Sequence, residues 1–555
     1  MRHTFEPKIV SVLREGYSKT QFMSDLSAGV ITGIVALPLA IAFGIASGVS
    51  PAQGLFTAVI AGFIISLLSG SRVQIGGPTG AFIVVVYGVV QQFGLEGLAA
   101  ATILAGIMLV VMGFCRMGNI IKFIPYPVTV GFTSGIAVII AVTQIRDFLG
   151  LNIECVPAGF RDKLIVYFQH LDSVNFYTLL VAVTALLVIR LSGIVSKKMP
   201  GSLMAIIVTT VIVQLFNLPV ETIGSRFGAI PATLPGFSFP ALSAAEWKAV
   251  VPAAFSIALL GAVESLLSAV VADGMIGGSH RSNMELVAQG IANITAPLFG
   301  GIPATGAIAR TATNIKNGGR TPFAGIIHAV TLLLILFLFS KLAVLIPIAS
   351  LAAILIVVAV NMSEYQVFFK LLKSPKSDVV VLLSTFLLTV LVGLTAAIQA
   401  GMVMAALLFM KRMEQVSGAW VISSEEEEEA RDLTFTETRI PPLIPGLEVF
   451  EINGPFFFGA SRKFCEVLKT VSSPPKVFIL RMRHVPAMDA TGLVALEEIV
   501  SRSKKVSSTL IISGVQPQPL LVMKKYGLYD QIGADYIIAD FKASLEKAEE
   551  LVAGA

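Results

Sequence analysis

Apolar residues along this chain occur in long unbroken runs rather than in an alternating pattern. The runs at 27–48, 52–69, 249–272 and 377–410 each reach the roughly 18 residues that cross a bilayer, and the last allows two crossings. Backbone polar groups inside lipid must be bonded internally, so continuous runs of this length predict membrane-spanning helices. The chain therefore reads as an all-α polytopic membrane domain with about 14 transmembrane helices between residues 27 and 411.

Composition and charge placement agree with this class. Only 14% of the residues are charged, against about 25% in a soluble protein. The net charge of +5 comes from cations at the ends of apolar runs, which indicates cytoplasmic loops and excludes nucleic acid as a partner. This placement predicts that both termini are cytoplasmic. The three cysteines have no metal or disulfide spacing, and neither a Walker A pattern nor a nucleophile–base set is present. We therefore expect no cofactor, no metal and no enzymatic activity.

The pattern changes after Arg412. An acidic stretch, Glu425 to Glu429, is followed by strand-like runs at 447–452, 476–482 and 509–514. Helical patterns alternate with them at 460–470, 491–504, 517–526 and 541–553, which predicts an α/β domain. The predicted division is a cytoplasmic N-terminal segment (1–25), a transmembrane domain (26–414), an acidic linker (415–440) and a cytoplasmic α/β domain (441–555).

A short motif occurs twice in the membrane domain. Thr79-Gly80-Ala81-Phe82 follows a proline, and Thr305-Gly306-Ala307-Ile308 follows another, at an offset of 305 − 79 = 226 residues. Each motif opens a short hydrophobic segment, as in the broken helices of secondary transporters. The N-terminus of such a half-helix has free amide groups and a partial positive charge, which suits an anion. The repeat predicts a secondary transporter with an anion site between the two motifs.

Two ionisable residues lie in the same region. Glu264 is the single acid in the run 249–272, and Arg310 follows the second motif. A charge at the bilayer centre costs about 2.5–3.5 kcal/mol, so both residues are candidates for function. One interpretation is a structural Glu264–Arg310 ion pair. The other is that Arg310 adds positive potential for the anion while Glu264 couples transport to a proton.

Several motifs together resemble the SulP family, the sulfate permeases and related anion exchangers. They are the run from Leu37 to Phe43, Gly77-Pro78-Thr79-Gly80, Gly261-Ala262-Val263-Glu264-Ser265 and Ala307-Ile308-Ala309-Arg310-Thr311. The C-terminal domain resembles a STAS domain. The resemblance implies two inverted seven-helix repeats forming core and gate domains, a homodimer, and transport by movement of core against gate. It implies an anion site made by Phe43, Thr79, Gly80, Ala81, Phe82, Ala307, Ile308, Ala309 and Arg310.

At the residues that bear on the coupling ion, this chain differs from some relatives. The sodium-coupled bicarbonate transporters of the family resemble it in having an acid at Glu264 and a hydroxyl at Ser268. They have a threonine where this chain has Ile308, and they lack the arginine at Arg310. Sodium prefers oxygen ligands and would be repelled by Arg310, so the comparison favours a proton. The leading expectation is proton-coupled sulfate uptake across a bacterial inner membrane. Bicarbonate or dicarboxylate transport (sodium-coupled or by exchange), an uncoupled anion channel and a membrane-anchored sensor stay open.

The STAS-like domain has one possible regulatory residue. In soluble relatives a phosphorylatable serine follows the aspartate that corresponds to Asp489, but here that position is Ala490. Thr491 is therefore either a site of modification or, as we favour, the cap of the next helix. Binding of a cytoplasmic protein partner by this domain is a further alternative.

Overall fold

The computed structural model describes residues 5–119, 125–153, 156, 157, 159–195, 200–231, 233, 235–416, 418–421, 446–457 and 475–553. The chain forms two compact units, Met1–Ala405 and Ala406–Ala555.

The first half of the membrane domain contains these elements: α1 (Lys8–Glu15), α2 (Lys19–Ala46), α3 (Pro51–Leu68), β1 (Gly76–Gly77), α4 (Phe82–Phe114), α5 (Tyr126–Thr143), α6 (Ile145–Leu149), α7 (Phe160–Gln169), α8 (Phe176–Val195), α9 (Gly201–Phe216), α10 (Ile223–Phe227) and α11 (Ala244–Ala249). The second half contains α12 (Val251–Ile276), α13 (Ser282–Leu298), β2 (Thr305–Gly306), α14 (Ile308–Lys316), α15 (Pro322–Ala343), α16 (Ile348–Met362), α17 (Tyr365–Leu371), α18 (Lys376–Leu391) and α19 (Leu394–Val416).

The fourteen hydrophobic segments predicted from the sequence are 27–47, 52–70, 79–91, 97–115, 128–146, 174–190, 201–217, 249–271, 285–299, 306–315, 322–340, 342–360, 377–394 and 396–411, and each overlaps a helix. The segments 79–91 and 97–115 lie on α4, which is broken at Gly94, where the backbone is at φ 69° and ψ −170°. Glycine adopts this conformation without a side-chain clash, so it allows the kink between the two halves of α4. Within the described ranges, seven helices are long and apolar enough to cross a membrane. The number of fourteen crossings stays a prediction.

The helices pack in two groups. One contains α2, α3, α4, α12, α13, α14 and α15, and the other contains α5, α8, α9, α16 and α18. Helix ends inside the first group are set by local sequence. For example, Ser50 and Gln53 form a capping box at the start of α3, and Pro51 occupies its first turn.

Glycines allow close helix contact in the first group. Gly106 on α4 and Gly290 on α13 face each other, and a Cβ on either residue would lie 2.6 Å from the other's carbonyl oxygen. Contacts of this kind drive association in lipid, where apolar side chains gain little by leaving the bilayer.

We expect Gly106→Ala to destabilise the membrane domain by about 1–3 kcal/mol, because its methyl group has no space. Thermal unfolding of the purified protein in detergent measures this effect. Gly88→Ala is the matched control, since Gly88 is on the same helix and its Cβ would meet nothing within 4 Å. Equal melting temperatures for the two variants would contradict the close packing of α4 on α13.

The second unit is an α/β domain. It contains β3 (Gly418–Val421), β4 (Leu447–Asn453), β5 (Val477–His484), α20 (Ala490–Lys505), β6 (Thr509–Ser513), α21 (Pro517–Tyr526), α22 (Leu528–Ile532), β7 (Ile537–Ile538) and α23 (Phe541–Ala553). The five strands form one sheet in the order β3-β4-β5-β6-β7, with β3 antiparallel to β4 and the other pairs parallel. Successive residues on each strand face opposite sides of the sheet. Phe450 and Leu480 lie in one core, while Val449 and Ile479 lie in the other with Phe541 of α23.

The predicted strands and the helices near 491, 517 and 541 match β4, β5, β6, α20, α21 and α23. The predicted helix at 460–470 and the acidic stretch Glu425–Glu429 lie outside the described residues. Sequence patterning missed two strands, β3 and β7. Both are four residues or shorter, and β3 falls inside the predicted linker, where it pairs with Phe450 to Asn453 of β4.

The expected helix cap at Thr491 is wrong. Asp489 precedes α20, and its Oδ1 accepts a hydrogen bond from the amide of Gly492 at 2.8 Å. Thr491 is the second residue of the helix and is exposed. An aspartate is among the best N-cap residues, so Asp489 rather than Thr491 caps this helix.

Candidate anion-binding site

A pair of short strands brings the two repeated motifs together. Strand β1 pairs antiparallel with β2, with Gly76 opposite Gly306 and Gly77 opposite Thr305. Helix α4 begins at Phe82 and α14 begins at Ile308, so the two helices start 308 − 82 = 226 residues apart, the offset of the motif. The strands start 305 − 76 = 229 residues apart. The three extra residues of spacing put Thr79 and Gly80 in a loop, whereas Thr305 and Gly306 form the strand.

Backbone amides at both helix starts are unpaired. Within the described residues, six of them donate no hydrogen bond, namely the amides of Thr79, Gly80, Ala81, Ile308, Ala309 and Arg310. The last three are the first-turn amides that an α-helix leaves without an internal partner. The site thus has two sets of free N–H donors, each reinforced by the partial positive charge of a helix N-terminus.

Two residues of the predicted site have backbone amides that already donate hydrogen bonds within the protein. The amide of Ala307 donates to the carbonyl oxygen of Ile75 at 2.8 Å, and the amide of Phe82 donates to that of Thr79 at 3.3 Å. Neither amide is free for a ligand. The side chain of Phe82 is buried and its Cζ lies 3.6 Å from the position of a Cβ on Gly261, so its ring packs on α12.

Phe43 lies near the first motif. A Cβ on Gly80 would lie 3.6 Å from Phe43 Cε1, 3.4 Å from Ile140 Cδ1 and 3.6 Å from Met362 Sδ. Gly80 therefore lies where α2, α5 and α16 approach α4, and both groups of helices contribute side chains there. In the second motif, Ile308 is 42% exposed and Ala309 is also exposed, so this helix start is open on one side.

Glu264 is directly connected to the first motif. The hydroxyl of Thr79 donates to Glu264 Oε2 at 3.3 Å, and the Glu264 side chain is half-buried. The carboxyl group therefore lies beside the loop that carries the free amides of Gly80 and Ala81. Any charge on Glu264 acts directly on an anion at those amides.

Arg310 has a different position from the one that an ion pair requires. Its side chain is 2% exposed, its Nη2 donates to the carbonyl oxygen of Pro78, and its Nη1 has no hydrogen-bond partner. A side chain on Gly77 would collide with Nη1, so the guanidinium lies behind β1. Among the described residues Arg310 forms no ion pair with Glu264, which excludes the structural pair as an account of these two residues.

Ser268 lies away from the free amides. Its side chain is fully buried, and its hydroxyl is 3.4 Å from Thr311 Oγ1, between α12 and α14. Thr311 Oγ1 in turn accepts from the amide of Ile75 at 3.0 Å. Ser268 thus belongs to the hydroxyl network that supports β1.

Sequence analysis missed other residues of this support. Ser265 and Thr305 share a hydrogen bond of 2.6 Å, and Ser265 Oγ accepts from the amide of Gly306. Asn293 bonds both the amide and the carbonyl of Ala304 at 2.8 Å. Glu285 is fully buried and accepts from Ser69, Gly70 and Gln289. Irregular backbone at membrane depth needs such partners, so polar residues inside apolar segments were the available signal.

Comparison with known proteins identifies the family of this chain. The sequence model of the sulfate permease family matches residues 22–385, and the STAS domain model matches residues 440–548. The chain belongs to the sulfate permease family. This family member is therefore a multi-pass membrane protein that transports an anion, and it is not an enzyme.

Its relatives differ in the anion that their names specify. The permease is 45% identical to the candidate sulfate transporter YvdB of Bacillus subtilis, over 94% of this chain and 97% of that protein. It is 30% identical to the bicarbonate transporter BicA of a Picosynechococcus strain, over 94% of each chain. Among solved structures it matches the transmembrane domain of a cyanobacterial BicA with 33% identity and a TM-score of 0.63, covering 69% of this chain and 98% of that one.

Proteins with much lower sequence identity have the same fold. It matches the murine solute carrier 26 family member A9 with a TM-score of 0.86 at 18% identity, over 98% of this chain and 94% of that one. This match confirms the predicted fold class, a helical membrane domain of this family followed by a STAS domain.

Proposed function

We propose that this permease carries out proton-coupled sulfate uptake, with Glu264 as the proton-coupling residue. The observation that carries the proposal is the hydrogen bond from Thr79 to Glu264, beside free amides at two helix starts. An ionised Glu264 places a negative charge next to the anion, whereas a protonated Glu264 does not. Protonation and anion binding therefore favour each other, which is the requirement for symport.

Arg310 supplies the permanent positive charge in this proposal. Its buried guanidinium lies behind the loop that holds Thr79 and Gly80, so it acts on the anion through space. The same charge disfavours sodium near Glu264. Ile308, exposed at the start of α14, has no side-chain oxygen for a sodium ion.

Transport by movement of core against gate is supported by the two packing groups. Gly80 lies where Phe43 of the first group approaches Ile140 and Met362 of the second. Relative movement of the groups would open the site to one side and then to the other. We further propose a homodimer in a bacterial inner membrane with both termini cytoplasmic, and a STAS domain that binds a cytoplasmic protein, with Thr491 accessible to modification.

Uptake in proteoliposomes tests the function. With the membrane potential clamped, an outside that is more acidic than the inside should drive accumulation of labelled sulfate above its external concentration. An uncoupled channel would only equilibrate sulfate under these conditions. Absence of accumulation with intact equilibration would therefore replace symport by conduction.

Bicarbonate is the second candidate anion, because two relatives that cover over 90% of the chain are bicarbonate transporters. Competition of labelled sulfate with unlabelled bicarbonate, chloride, succinate and fumarate distinguishes the candidates. We expect unlabelled sulfate to compete best. Stronger competition by bicarbonate or a dicarboxylate would change the assigned substrate while leaving the site unchanged.

A further inference from the structure

A second cluster of polar groups lies near the middle of the first half of α4. Lys163 on α7 is 4% exposed, and its Nζ is 5.2 Å from the ring centroid of Tyr87. Tyr87 is five residues beyond Phe82, which is about 7.5 Å along the helix axis from the candidate site. The hydroxyl of Tyr87 donates to the carbonyl oxygen of Val156 at 3.0 Å. The cluster thus connects α4 to the segment that precedes and forms α7.

Two donors in this cluster have no hydrogen-bond acceptor in the described part of the chain. The ammonium of Lys163 forms no hydrogen bond or ion pair there, and the buried hydroxyl of Tyr167 forms no hydrogen bond. Residues four apart lie on the same face of a helix, so both donors point to the same side of α7. Burial of a hydroxyl without an acceptor is costly, and in the described part of the chain the Lys163 ammonium contacts only the ring of Tyr87.

Asp147 is the acid that acts on Tyr167, and its charge is already paired. Asp147 is paired with Arg226 at 2.9 Å, and Arg226 is also paired with Glu221. Arg146 is half-buried with an unpaired Nε. Within the described ranges, Lys163 itself forms no ion pair with an acid.

We propose that Lys163 and Tyr167 form an outer anion site, which holds a small oxyanion such as sulfate one and a half helical turns from the site between the half-helices. The name "outer" rests on the membrane orientation in the proposed function. The ammonium and the phenolic hydroxyl donate to the anion, and the ring of Tyr87 forms one wall. An anion held there is concentrated next to the path toward Gly80 and Ala81.

The protonation state of Lys163 agrees with this role. Helix α7 is only ten residues long and lies outside the membrane-spanning segments. Burial lowers the pKa of Lys163 to about 8, while burial and then the nearby Asp147 raise the pKa of Tyr167. The neutral amine therefore becomes available as pH rises through about 8, and the anion-binding ammonium dominates below that pH.

Pyridoxal phosphate, an anionic aldehyde, tests the site on the purified full-length protein. Its aldehyde carbon bonds to the neutral Lys163 nitrogen with loss of water, and borohydride reduces the resulting imine to a stable amine that mass spectrometry locates. We expect Lys163 to be labelled at least tenfold faster than the exposed Lys248 and Lys341. Millimolar sulfate should slow the labelling of Lys163 and leave that of the other two unchanged.

Two variants distinguish the site from the proposed function. Tyr167→Phe should keep the labelling of Lys163 but reduce protection by sulfate several-fold, because one donor is lost. Glu264→Gln should leave both labelling and protection unchanged, so failure of proton coupling would not affect this result. Labelling of Lys163 at the rate of Lys248, or labelling that sulfate does not slow in the native protein, would overturn the outer site.

Transport gives an independent readout. Lys163→Gln should raise the external KM for sulfate at least fivefold with little change in kcat, and Lys163→Arg should restore the native KM. An unchanged KM in Lys163→Gln would show that anions do not use the site during uptake. A fall in kcat alone would assign Lys163 a structural role instead.

Discussion

Glu264→Gln is expected to abolish accumulation of sulfate driven by a proton gradient. For one proton per sulfate, each unit of pH difference is worth about 1.4 kcal/mol, or about tenfold accumulation. Glutamine keeps the hydrogen-bonding shape of a protonated carboxyl group but cannot exchange a proton. The variant should bind sulfate at all pH values, and its accumulation ratio should fall to about one. Uptake into proteoliposomes at clamped membrane potential measures this ratio.

Glu96→Gln is the matched control, because Glu96 is an exposed acid on α4 and the substitution removes the same charge. It should accumulate sulfate like the native protein. Retained proton-driven accumulation in Glu264→Gln would remove Glu264 from coupling. Loss in both variants would instead point to a general effect of charge removal.

Arg310→Met is expected to weaken anion binding, and to weaken it more for a dianion than for a monoanion. By Coulomb's law, two unit charges about 8 Å apart interact by about 2 kcal/mol at an effective dielectric constant of about 20. This corresponds to roughly thirtyfold for a monovalent anion and considerably more for sulfate. Equilibrium binding of labelled sulfate and of bicarbonate to the purified variant measures the two losses.

Arg310→Lys keeps the charge and should keep most of the affinity. Methionine is flexible and apolar, so Arg310→Met is compatible with the buried position, and gel filtration of the variant checks its folding. Equal losses for sulfate and bicarbonate in a folded Arg310→Met protein would contradict an electrostatic role. Sulfate affinity within twofold of the native value would exclude Arg310 from binding altogether.

The sequence predicted the positions of the helix starts on which these two predictions depend, but not the contacts of Glu264 and Arg310. The motif repeat located both helix starts, because a broken helix in lipid requires the same glycine and proline signals in each half. It did not locate the hydrogen-bond partners. Glu264 could have faced Arg310 or the anion, and sequence spacing gives no direction for a side chain at the break between helices. The tertiary structure places it beside Thr79 and places Arg310 behind β1.

Matching residues of the two repeated motifs do not have the same structure. The match of Thr79-Gly80 to Thr305-Gly306 suggests equal roles, yet one pair is in a loop and the other is in a strand. Pairing of β1 with β2 fixes the register, and three residues of loop absorb the difference. The amides of Ala307 and Phe82 are consequently used within the protein.

The sequence by itself determined the class, the position of the helices, the second domain and the two helix starts, because these depend on hydrophobic length and on local backbone preferences. Only the tertiary structure decided which amides are free, what Glu264 and Arg310 contact, and that Asp489 rather than Thr491 caps its helix. It also brought together Lys163 and Tyr167 of α7 with the side chain of Tyr87 on α4. Contacts between residues distant in the chain arise from the packing of whole helices, and no local pattern encodes that packing.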